Sequence, residues 1–170
     1  GFYNALGLFR DRVDGVNRLI FSYNLMGQLR QVHERLPVGN RILVNVQHGS
    51  SGPATAKVEW ADRYNYWEDA DRHVARIRQQ FTYGGLRGRV SSRTTGLGFF
   101  SEGQPEPAQN ETFVTGFTWN DQGRVEKIDY PSCRFADFKC WDSGRAQSFV
   151  YQDGLLTGVS GFANISYHPN

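Results

Sequence analysis

The stretch FTWNDQGRVEKI, Phe117 to Ile128, carries the pattern on which the fold turns. Phe117 and Trp119 stand two apart, so on an extended strand both rings project from one side. The residues from Asn120 to Gly123 read as a tight turn. Asn in the first place of a type I turn can bond the backbone ahead of it, and Gly in the fourth can take the left-handed conformation of a G1 bulge. Val125 and Ile128 then supply the apolar residues of a returning strand, which completes a β-hairpin signature. These two are three apart and cannot share a face of a regular strand. Either a bulge interrupts the strand, or the sheet makes apolar contacts on both faces.

The same plan recurs outward from this stretch. FYNALGLF from Phe2, FSYNLMGQLRQV from Phe21, FTYGGLRGRV from Phe81 and FVYQDGLLTGV from Phe149 each join aromatics, a polar or glycine turn and a following apolar residue. Phe21 with Tyr23, Phe81 with Tyr83 and Phe149 with Tyr151 repeat the pair Phe117 and Trp119. Asn4 with Gly7, and Asn24 with Gly27, repeat Asn120 with Gly123, and Gly154 closes the last turn. Leu29 and Val32 repeat the three-residue spacing. A sixth, degenerate copy runs from Tyr66 through Asp69 to Val74 and Ile77. Internal repeats decide architecture ahead of local propensity, so the expected fold class is all-β, an irregular array of antiparallel hairpins. Residues 1–170 are read as one region with no internal domain boundary. The paired aromatics are read as repeat core and not as a binding cage, because aromatic and β-branched cross-strand pairs are the ordinary means of stabilising hairpins.

Two stretches interrupt the repeat. In RILVNVQHGSSGPATAKVEW, alternating Ile42, Val44 and Val46, and later Val58 and Trp60, predict an inserted hairpin around a turn from Gly49 to Pro53. SEGQPEPAQN, from Ser101, has the composition of an exposed connection.

The remaining chemistry is sparse. With 19 basic against 17 acidic residues and a net charge of +2, the chain gives no reason to expect a nucleic-acid partner. No apolar run approaches the roughly 20 residues that span a bilayer as a helix. Glu68, Asp69 and Asp71, with His73 and Asp62 nearby, form the one cluster that invites a metal, but they lack a dense oxygen-ligand loop of the calcium type. As a helix this segment would place Asp69 and His73 on one face; the repeat register favours a strand–turn–strand instead. His33, His48 and His168 lie in no Ser/His/Asp, HExxH or Cys/His arrangement. GGLRG from Gly84 leads into strand-like sequence and so cradles no phosphate. No catalytic, metal or cofactor residue is expected, and the chain is read as non-enzymatic. The sequons at Asn110 and Asn164 would matter only in a eukaryotic secretory pathway. The chain opens at Gly1 without a methionine and closes on SYHPN, which reads as the first half of a turn, so both ends are expected to be cuts in a longer polypeptide.

The Y-N/D-x-x-G-x-L/V-x-x-I/V core, the RVEKIDYPS segment after Gly123, YWEDADRHVARI and the tail VYQDGLLTGVSGFANISYHPN resemble the RHS or YD-repeat family. That resemblance covers most of the chain. It implies a ribbon of hairpins that winds into a larger spiral β shell, which in bacterial toxins encloses a C-terminal effector and in teneurins stands on the cell surface. The implied role is a non-catalytic wall segment, secreted or on the cell surface. Its partners would be the remainder of the same polypeptide or other chains of an assembly, with an enclosed effector or a surface glycan. No DPxGxx element of the family's autoproteolytic core is present, so self-cleavage is carried onto no residue. Cys133 and Cys140 bracket RFADFK within a predicted hairpin. Given an even cysteine count and a family that is exported, they are expected to form a disulfide. The rival role is a carbohydrate-binding or adhesion module, which solvent-facing rows of Tyr, Trp and Arg would favour.

Overall fold

The structure, a computed structural model, describes residues 2–3, 8–14, 17–37, 39–66, 73–85, 87–101, 109–132 and 144–167. The strands are β1 (Phe2–Tyr3), β2 (Phe9–Asp14), β3 (Asn17–Tyr23), β4 (Leu29–Arg35), β5 (Asn40–His48), β6 (Val58–Tyr66), β7 (His73–Gly84), β8 (Arg89–Phe99), β9 (Gln109–Trp119), β10 (Val125–Asp129), β11 (Ala146–Gln152), β12 (Leu155–Val159) and β13 (Ala163–Asn164). They follow one another in the sheet in chain order. Among the described residues helix is limited to a 3-10 turn at Gly52–Ala54. The fold class is all-β and antiparallel. The strand reading of the stretch after Asp71 holds too, since β7 begins at His73. The chain divides into two compact units, residues 1–81 with 95–112 and residues 82–94 with 113–170, so the division falls within β7, β8 and β9.

A recurring bulge accounts for the three-residue spacing of the apolar positions. Tyr23 faces Leu29 and Ser22 faces Gln31, so Arg30 is skipped and Val32 comes opposite Phe21. Leu29 and Val32 are thereby brought to the same face as Tyr23 and Phe21. In the second unit Trp119 faces Val125 and Phe117 faces Ile128, with Glu126 skipped. Tyr151 faces Leu156 and Phe149 faces Val159, with Thr157 skipped. Of the two readings the sequence left open, the bulge is the one realised. The skipped Arg30 and Glu126 are exposed, and this is why a charged residue is tolerated there.

The degenerate copy departs from expectation in its details. His73 faces Tyr66, Val74 is the skipped residue and Ile77 faces Arg63. Val74 and Ile77 therefore do not take the places of Leu29 and Val32; His73 and Arg76 do. The inserted hairpin is present as β5 and β6, paired from Val44–Arg63 to His48–Val58.

The turns carry the geometry their residues suit. Asn24 Oδ1 accepts from the backbone N–H groups of Met26 and Gln28, each at 3.0 Å, and Gly27 has φ +75°. At Asn120 the same oxygen accepts from Arg124 N at 2.9 Å, and Gly123 has φ +80°. The turn of the last hairpin is of another kind. Asp153 and Gly154 both have positive φ between the paired Gln152 and Leu155, a two-residue turn of the I′ type. Asn4 and Gly7 lie outside the described residues.

Among the described residues no helix covers the sheet, and this sets the burial. Phe21, Tyr23, Phe81, Tyr83, Phe117, Trp119, Phe149 and Tyr151 are all half-buried. Among the described residues Val32 is the one apolar side chain that counts as buried, beside Glu34, Asp62 and Thr115. A single sheet layer screens each ring by its strand neighbours only, whereas a sealed core needs a second layer.

Candidate functional site

In the second unit two arginines that follow turn glycines join one hairpin to the next. Arg89, directly after Gly88, sets its guanidinium 5.1 Å from the ring centre of Trp119, whose Nε1 donates to the Val90 carbonyl at 2.8 Å. Arg124, directly after Gly123, lies 5.4 Å from the ring centre of Tyr151, whose hydroxyl donates to the Val125 carbonyl at 3.0 Å. After Gly154 leucines stand in place of Arg-Val, and Tyr167 still donates to the Leu156 carbonyl at 3.0 Å. The first unit repeats the arrangement in Arg41, 4.9 Å from the ring of Tyr66, whose hydroxyl donates to the Ile42 carbonyl. In the second unit each of these two latches thus joins one residue's guanidinium and its successor's carbonyl to a single aromatic of the following hairpin, whereas the Arg41–Tyr66 contact joins the two strands of the β5–β6 hairpin. A cation over a half-exposed ring contributes about 0.5–1 kcal/mol, and the hydrogen bond about 1 kcal/mol.

The turn glycine of the following hairpin is part of the same latch. A Cβ on Gly123 would fall within the Arg89 guanidinium, and one on Gly154 would come 2.9 Å from Arg124 Nη2. Glycine is needed here twice, for its left-handed φ and for the room that the arginine occupies. At Gly27 that room is taken by Leu8 Cδ1, 3.3 Å from where a Cβ would be. Arg89 and Arg124 were not singled out from the sequence. Their only local signal is the tripeptide Gly-Arg-Val at 88–90 and 123–125, which reads equally well as a plain strand entry.

The first unit also carries a row of polar residues across five strands. Ser22 faces Gln31, Gln31 faces Asn45, Asn45 faces Asp62 and Asp62 faces Arg78. The next row, Phe21, Val32 and Val44, is apolar and points to the opposite face. Asp62 is the most buried side chain of the polar row, at 1% exposure. Its carboxylate accepts from Arg78 Nε at 2.7 Å, from Arg78 Nη2 at 2.6 Å and from the Tyr64 hydroxyl at 3.2 Å. The Arg78 guanidinium also lies 4.9 Å from the ring centre of Trp60. A buried carboxylate is tolerated because this two-pronged pair and the phenol satisfy both oxygens. Burial pushes the Tyr64 phenol above its ordinary value of 10.0, and the Asp62 charge and hydrogen bond push it the same way. Both oxygens of Asp62 are engaged, so the cluster fixes strand register and presents no free base.

Other candidates are placed as follows. Asp62 is committed to Arg78, and Glu68, Asp69 and Asp71 lie outside the described residues, among which no group of three metal-ligating side chains occurs. Cys133 and Cys140, Trp67 and Trp141 also lie outside the described residues. Trp60 and Trp119 are half-buried. A broad groove of about 790 Å³ runs between two neighbouring turns of the second unit, lined by Asn120, Asp121, Gln122, Arg124, Tyr151, Asp153 and Gly154. No helix of the described residues is long and apolar enough to cross a membrane.

No family model and no curated protein matches the chain. Among solved structures, a chain of the crystal structure of TcdB2-TccC3-Cdc42 is similar at 13% identity over 91% of this chain, with a TM-score of 0.42. This chain spans 9% of that one.

Proposed function

We propose that the chain is a non-catalytic structural segment, a stretch of wall in an RHS/YD-type β shell that serves as an extracellular scaffold or encloses an effector. The observation that carries this reading is the latch. The Arg89–Trp119 and Arg124–Tyr151 contacts and the hydrogen bonds of Trp119, Tyr151 and Tyr167 are spent on joining one hairpin to another, which is the requirement of a wall. The partners in this reading are the remainder of a longer polypeptide or other chains of an assembly, and the setting is secreted or on the cell surface. A glycan-binding surface is less well supported, because Arg78 and Arg89 lie over the rings of Trp60 and Trp119 on which a sugar would stack. Electron microscopy of the natural polypeptide that contains this chain tests the proposal. The expected result is a hollow β shell with these hairpins in its wall; an isolated module that binds a glycan array with these residues protected would overturn it.

A further inference from the structure

We draw no further inference here: the strongest candidate, the surface groove over Gly158 in the second unit, lined by Asn164 and the exposed Val150 and Phe162, carries nothing because nothing in the structure shows what covers it.

Discussion

Alanine at Gly123 separates the two demands that the latch places on a turn glycine. The residue has φ +80°, which costs an L side chain about 1–2 kcal/mol. The added Cβ also meets the Arg89 guanidinium, and that flexible group moves aside at the cost of its place over Trp119. Losing the cation from the ring costs about a further 0.5–1 kcal/mol, for a total of about 1.5–3 kcal/mol. Gly85 is the internal control. It lies in the same unit with φ +67° and nothing within 4 Å of a built Cβ, so Gly85→Ala carries the backbone term alone. Urea titrations of Gly123→Ala, Gly85→Ala, Arg89→Ala and the double variant Arg89→Ala/Gly123→Ala measure the difference. In the Arg89→Ala background the cost of Gly123→Ala is expected to fall to that of Gly85→Ala. The reasoning is refuted if Gly123→Ala and Gly85→Ala cost the same in the parent, or if removing Arg89 leaves the cost of Gly123→Ala unchanged.

Three further outcomes are expected. Asp62→Asn breaks a buried ion pair; since the Arg78 side chain is 43% exposed and can rehydrate, the loss is set below the fully buried case, at about 1–3 kcal/mol in urea titration, and a neutral result would remove Asp62 from the fold's supports. The Tyr64 and Tyr83 phenols, both raised above 10.0 with burial the first cause, are expected to ionise above pH 10 in an ultraviolet titration, and Tyr64→Phe deletes one of these steps. Because the folded-state value is raised, the stability these phenols contribute is full below pH 10 and is lost as the pH rises through the folded-state value, so a stability that climbs over this range contradicts the assignment. Thiol labelling of the denatured, unreduced protein is expected to find no free cysteine; labelling at both Cys133 and Cys140 would remove the disulfide and with it the residue-level argument for export.

The hairpin plan was legible in the residues because it is local. Two rings two apart, a turn of Asn and Gly, and apolar residues three apart lie within twelve positions, and each follows from the period of a strand or the φ of a glycine. The inserted hairpin at β5 and β6 was legible for the same reason. The bulge was half legible: the spacing of Leu29 and Val32 demanded an irregularity, but only the facing of Tyr23 with Leu29 and Phe21 with Val32 shows that it brings both to one face. The degenerate copy was misplaced by one residue, since His73 offers no apolar mark of the place it takes opposite Tyr66.

What the tertiary structure alone decided is everything that depends on which strand lies beside which. Asp62 meets Arg78 only because β6 and β7 pair in one register, and a shift of one residue would turn either side chain to the other face. The latches join residues from 24 to 29 positions apart in three cases, Tyr66 to Ile42, Trp119 to Val90 and Tyr151 to Val125. No periodicity of a single strand encodes such a meeting. The arginines and the ring nitrogens or hydroxyls are chemically ordinary where they stand in the chain, and they acquire a role when neighbouring hairpins bring a cation, a carbonyl and a glycine without a Cβ around one ring.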